Sequence, residues 1–226
     1  MKDEASGFRG KDVFEAATFE PVSKGKDGGK AYPRLKSVAR VKFPTRYGLF
    51  DLYGFENGSS TEVHTVLVKG NVRGARDCPV RVHSECHTGD VFGSLRCDCR
   101  EQLEASIRYV SKQEYGAVLY MRQEGRGIGL SNKLKAYSLQ DSGFDTVEAN
   151  ELLGLPAEAR TYDIAAEIIR YLGIESVVLL TNNPDKIEKL TDEGIVISRR
   201  RPLVIDANEH NRRYLETKKL RMRHLL

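Results

Sequence analysis

Glu101–Leu130 reads EQLEASIRYVSKQEYGAVLYMRQEGRGIGL. Leu103, Ile107 and Val110 recur at i, i+4 and i+7 across Glu101–Gln113, the spacing of one apolar helix face. Gly116–Met121 (GAVLYM) follows as a nearly continuous apolar run, the mark of a strand buried on both faces. A glycine-rich turn then leads into a second helical pattern, Leu130–Asp141, with Leu130, Leu134 and Tyr137 on one face. Helix, buried strand, turn and helix form the unit from which α/β sheets are built.

The alternation extends both ways. Upstream, Gly48–Phe55 (GLFDLYGF), Val63–Val68 (VHTVLV) and Val80–Ser84 (VRVHS) are β-branched or aromatic runs between turn signals and predict strands. Downstream, Tyr162–Leu172 carries Ile164, Ile168 and Leu172 on one face, with Gly173 just past its end. Val177–Leu180 predicts a buried strand. It runs into Thr181-Asn182-Asn183-Pro184, where Asn183 suits a helix N-cap and Pro184 the first helical position. That helix stops before Gly194, and Gly194–Ser198 is expected as a strand. The expected fold is α/β: a mixed sheet flanked by helices, with a β-rich N-terminal part. Residues 1–37 are expected to be a flexible N-terminal extension, because Ser23–Lys30 (SKGKDGGK) has no apolar period. Residues 38–226 are expected to be one catalytic domain.

At 226 residues, 40% hydrophobic and 30% charged, the chain is long enough for a sizeable core. No apolar run approaches the roughly 20 residues of a spanning helix, and Met1–Gly10 is too polar for a signal peptide. A cytoplasmic protein without a membrane partner is expected. The net charge of +4 is uneven: +3 over residues 1–40, −5 over 41–198 and +6 over 199–226. The basic C-terminal end reads either as a solvated tail or as an arm facing an anionic ligand.

Cys86, Cys97 and Cys99 form C-x10-C-x-C. Three soft thiolates suit zinc and leave a fourth position for water. Small buried hydrophobes are the alternative reading of such cysteines. Cys78 is not expected to be a ligand, because the eight residues to Cys86 span roughly 26 Å when extended. In Arg122–Gly129 (RQEGRGIG), backbone N–H groups at a helix start can hold phosphate oxygens, and the arginines add charged donors. Glu124 could accept two parallel donors of a guanine, or the turn could be merely flexible. Thr181–Lys186 is a second strand-to-helix turn, read either as a phosphate contact or as an ordinary capped helix.

Four stretches together closely resemble GTP cyclohydrolase II: Arg81–Cys99 (RVHSEC-x10-CDC), Arg122–Leu130 (RQEGRGIGL), Leu134–Asn150 (LKAYSLQDSGFDTVEAN) and Leu179–Lys186 (LLTNNPDK), and the resemblance covers about residues 38–226, including the terminal Tyr214–Leu226 (YLETKKLRMRHLL). The resemblance implies opening of the GTP imidazole ring with release of formate and pyrophosphate. The product would be 2,5-diamino-6-(5-phosphoribosylamino)pyrimidin-4-one, serving riboflavin or a specialised pyrimidine- or pteridine-like pathway. It implies one catalytic zinc per subunit on Cys86, Cys97 and Cys99, magnesium on the GTP phosphates, and a homodimer. It assigns Arg81, Val82, His83, Ser84, Glu85 and Gln102 to the GTP site, with Glu124, Gly125, Arg126, Thr146, Thr181 and Lys186.

By the same resemblance Tyr137 is linked to complete loss of the formyl group. Arg160 matches a nucleophile toward the α-phosphorus, although its chemistry better suits electrostatic stabilisation. Glu158 stands where an aspartate is usual as proton acceptor. Met121 and Asp185 depart from the family pattern, and residues 1–37 have no counterpart in its compact members. A partial cyclohydrolase that stops at the formamidopyrimidine is the nearest alternative. A zinc-stabilised nucleic-acid module and a zinc deaminase are remoter. No nucleic-acid partner is expected, and the deaminase signature is absent.

Overall fold

The computed structural model describes residues 35–58, 62–156 and 158–225. The expected extension therefore lies outside the described residues up to position 34. Residues 35–37 belong to the first strand.

Seven strands form a single sheet in the order β1-β2-β3-β5-β4-β6-β7. β1 (Leu35–Thr45), β2 (Gly48–Asn57) and β3 (Val63–Lys69) make an antiparallel meander. β3 also pairs antiparallel with β5 (Gly116–Met121). β5, β4 (Cys78–Ser84), β6 (Val177–Leu180) and β7 (Ile197–Arg201) run parallel. The sheet is mixed and its N-terminal part is β-rich, as the sequence predicts.

Strands β4, β5 and β6 are buried along nearly their whole length, which is why β5 and β6 read as apolar runs without alternation. Helix α2 (Cys99–Ser111) covers one face, where Val110 meets Phe50 and Val118. Helix α5 (Asp163–Tyr171) covers the other, sending Ile164, Ile168 and Ile169 into the main core with Val66, Val80 and Leu179. β5 and β6 lie on opposite sides of β4. The connections leaving β4 and β5 therefore diverge, and they open a crevice beyond the carboxyl ends of these strands.

Two expectations are corrected. The last strand begins at Ile197, not Gly194. After helix α6 (Pro184–Asp192), Gly194 takes a left-handed φ of 82°, and Gly194 and Ile195 donate back to Thr191 and Leu190 at 2.8 and 3.0 Å. Those residues thus close the helix rather than open a strand. The basic C-terminal end is not a solvated tail, because Arg212–Arg221 form helix α7 with Leu215 and Lys218 buried. The Asn183 cap and Pro184 stand as expected, with the Asn183 side chain accepting from the Asp185 N–H at 3.0 Å.

Candidate active site

The crevice at the end of β4 holds the three cysteines. Cys86 follows β4 and precedes the single-turn helix α1 (His87–Asp90), Cys97 lies in the next turn, and Cys99 opens α2. Their sulfurs all lie within 4.8 Å of one another, with Cys86 and Cys97 3.7 Å apart. Zinc–sulfur bonds of about 2.3 Å in tetrahedral array put sulfurs about 3.8 Å apart, so the set fits a zinc ion.

Gly89 makes the room. A Cβ there would stand 2.8 Å from Cys97 Sγ and 3.1 Å from Cys86 Sγ. Among the described residues the cluster stops at three ligands. Cys78 sits at the opposite end of β4, and burial pushes its thiol up to about 12. It stays outside the cluster, as the chain-length argument predicts.

Helix α3 (Gly129–Asp141) supplies the groups that face the thiolates. The Lys133 Nζ donates to Cys86 Sγ at 3.1 Å and to Glu124 Oε1 at 2.8 Å. Glu124 Oε1 also accepts from the Gly125 N–H at 2.7 Å, and Oε2 accepts from the His87 N–H. With three donors already bound, Glu124 in this arrangement lacks two free oxygens for a guanine edge. Here it ties the glycine turn to the cysteine loop. One turn beyond Lys133, the Tyr137 hydroxyl lies 3.3 Å from Thr88 Oγ1, itself 3.7 Å from Cys86 Sγ. Burial raises the Tyr137 phenol to about 12, so it carries its proton at neutral pH.

On the cavity's other side, cations gather. Arg81, buried in β4, donates to the Leu180 carbonyl at 2.9 Å and to Gln102 Oε1 at 2.6 Å. Burial lowers its guanidinium to about 10. Gln102 in turn donates to Asp98, which also receives Lys218 at 2.6 Å. Lys186 is 4% exposed, and its Nζ donates to the Val82 carbonyl at 2.6 Å. Burial, with Arg81 and Arg160 nearby, holds that ammonium well below its ordinary value. A cation in such a place is waiting for an anion. Val82 enters the site only through this carbonyl, since its side chain is in the core.

Arg126 follows Gly125 in a turn where both are left-handed, and its Nη1 is buried without a partner among the described residues. Glu158 lies outside the cavity wall and accepts from Arg160 through both oxygens. Burial works against the Arg160 charge, and Glu158, with Tyr162 and Tyr214, more than offsets it, so the guanidinium sits above its ordinary value.

The remaining expected residues converge on the same cavity. Ser84 accepts from the Gln123 amide at 2.9 Å, and Glu85 pairs with Arg122 at 2.9 Å. His83 holds Asp90 at 3.2 Å, and burial keeps its ring below the usual histidine value. Thr181 and Thr146, the latter opening helix α4 (Thr146–Leu152), complete the lining.

Sequence reasoning missed Lys133, Asn150, Tyr214, Lys218 and His224, all of which line the cavity. A signal existed for the first: Lys133 is one helical turn before Tyr137, so the two share a face. No periodicity pointed to the C-terminal three.

The family model described as GTP cyclohydrolase II matches residues 36–202. GTP cyclohydrolase-2 of Picrophilus torridus is 53% identical over 191 residues, covering 84% of this chain and 99% of that protein. GTP cyclohydrolase-2 of Neisseria meningitidis is 50% identical over 192 residues, covering 85% and 97%. The riboflavin biosynthesis protein RibBA of Bacillus subtilis is 52% identical over 187 residues, and the match spans 82% of this chain but only 47% of that longer protein. Four motifs in register, three convergent thiolates and half-identical relatives matched nearly end to end agree: the chain belongs to the GTP cyclohydrolase II family.

Proposed function

We propose that this chain opens the imidazole ring of GTP, releases C8 as formate and removes pyrophosphate, leaving the diaminopyrimidinone that feeds riboflavin synthesis. One observation carries the reading. Three thiolates with room for a metal ion and a cluster of buried cations face each other across one cavity. Such a cavity accepts a group to be hydrolysed at one end and a polyphosphate at the other.

Cys86, Cys97 and Cys99 would hold a zinc ion, which would supply Lewis acidity toward water and toward the purine C8. Tyr137 keeps its proton and can deliver it to the nitrogen that leaves C8. Lys133 offsets the negative charge of the thiolates. Arg160, aligned by Glu158, neutralises charge that grows on the α-phosphate, and Lys186 and Arg126 offer further cationic donors to the phosphates. Arg160 acts as a stabiliser rather than a nucleophile, because an ion-paired guanidinium has no free lone pair to offer. Magnesium belongs with the phosphates. A homodimer in the cytoplasm is the assembly expected from the family.

Incubation with GTP, zinc and magnesium tests the reading. Formate and pyrophosphate should each appear in a one-to-one ratio with GTP consumed. Pyrophosphate without formate would favour the partial reaction, and consumption of neither GTP nor its ring would defeat the proposal.

A further inference from the structure

Helix α7 lies beyond the segment matched by the family model, yet it forms part of the cavity wall through Tyr214 and Lys218, and His224 extends that wall. The segment is fastened at several points. The Asn211 amide reaches the Cys97 carbonyl at 3.5 Å. Lys218 Nζ is 2.6 Å from Asp98 Oδ1, between two of the metal-binding cysteines. Past the helix, the His224 N–H donates to the Lys218 carbonyl at 3.0 Å, and the Leu225 N–H donates to the Asn182 carbonyl at 2.8 Å. The last of these pins the chain end over the β6–α6 turn, beside Lys186.

These contacts seat the His224 ring among cations from four elements: Lys218 on α7, Arg160 ahead of α5, Arg126 in the glycine turn and Lys186 on α6. Burial and those four charges push the ring down to about 3, so it is neutral when the cavity is empty. Among the described residues, no carboxylate hydrogen bond is made by two of these cations: Arg126 Nη1 is buried without a partner, and the Lys186 ammonium holds the Val82 carbonyl and lies 5.7 Å from the centre of the Tyr162 ring. Fixing cations and a histidine together costs free energy unless a strong anion arrives.

We propose that the C-terminal segment Asn211–Leu225 is a ligand-binding element that receives the distal phosphates of the nucleotide, with His224 as a phosphate donor. The proposal rests on the GTP reading above. Its chemistry is that of a polyphosphate: an anion with several negative oxygens returns the His224 ring to its protonated form and binds it. Nucleotide binding at neutral pH is then accompanied by proton uptake at this ring.

The test uses the full-length zinc-loaded protein, a variant ending at Arg221, and His224→Gln. Each is titrated calorimetrically with the α,β-methylene analogue of GTP and with GMP, in buffers of different ionisation enthalpy. Both variants should lose about tenfold or more in affinity for the triphosphate analogue and almost none for GMP. Zinc content should be unchanged, and the buffer-dependent proton uptake of the full chain should fall in His224→Gln. Equal losses for the two ligands would make the segment merely structural and overturn the proposal, as would an unchanged triphosphate affinity. If the unaltered protein binds neither ligand, the GTP reading itself fails, which is a separate result.

Discussion

Lys133 places its ammonium 3.1 Å from the sulfur of Cys86, on the side of the cysteine cluster that faces Glu124. Three thiolates around a divalent ion sum to −1, and a cation in contact with one of them restores neutrality. The hydrogen bond also draws electron density from the sulfur, leaving the ion a stronger Lewis acid. Lys133→Met should weaken zinc binding by about 10–100-fold, the usual cost of losing such a partner. Competition with a chromophoric chelator measures it. Lys133→Arg keeps the charge and should recover most of the affinity. An unaltered affinity in the Met variant would reduce Lys133 to a packing residue.

Gly89 offers a sharper test of the thiolate geometry. Its backbone is ordinary helix, so alanine is acceptable for the chain itself; the obstacle is space. The added methyl would overlap Cys97 Sγ at 2.8 Å and crowd Cys99 Cβ at 3.2 Å. Gly89→Ala should therefore drop bound zinc well below one per chain, as read by elemental analysis, while the far-ultraviolet circular dichroism stays native. Full zinc occupancy would mean the loop can shift to keep its cluster.

His64 predicts how stability follows pH. It is buried in β3, and its Nδ1 accepts the Arg122 N–H at 3.0 Å. Burial holds its ring below the ordinary histidine value. Between that lowered value and about 6.5 the unfolded chain binds the proton that the native state refuses. Stability is thus complete above about pH 6.5 and declines as the pH falls through this window, by up to about 1.4 kcal/mol per pH unit for one such residue. His64→Asn retains an acceptor near the same position and cannot titrate. Urea midpoints between pH 8 and pH 5 should fall less steeply in the variant. His83 and His224 have the same sign and keep part of the slope in both proteins.

Local signals carried most of the fold because the decisive elements are interior ones. β5 and β6 are enclosed on both faces and advertise it with GAVLYM and VVLL, and α6 announces its start through Asn183-Pro184. Helix α4 had a comparable signature that went unused: Asp145 and Glu148 form a reciprocal capping box, each side chain accepting from the other's backbone N–H. Helix α7 had none. Its sequence RRYLETKKLR is polar on most sides, and it is held by long-range contacts such as the pair between Lys218 and Asp98, 120 residues apart. The same contrast divides the site. The cysteines and the glycine turn lie in compact motifs, whereas Lys218 and His224 reach the cavity only because the chain end folds back over the β6–α6 turn. No periodicity in a linear sequence encodes that return.

Glu158 and Arg160 supply the last prediction. Both are mostly buried, at 17% and 13% side-chain exposure, and the carboxylate engages the Nε, Nη2 and backbone N–H of the arginine. A carboxylate so occupied is a poor proton acceptor for substrate and a good clamp. On the proposed reading it aims the guanidinium and keeps it charged within a cluster of other cations. Glu158→Gln should leave that arginine buried and unbalanced, costing about 3–5 kcal/mol of stability by the usual cost of breaking such a pair. Pyrophosphate release should slow through kcat rather than KM, because the loss falls on charge that develops during transfer. Glu158→Asp keeps the charge and should stay within about tenfold of the unaltered rate, set by how well the shorter side chain still aims Arg160. If Glu158 instead accepted the proton itself, Asp would preserve the rate and Gln would abolish it without changing the denaturation midpoint. Urea unfolding of the Gln variant, measured beside its turnover, separates the two roles.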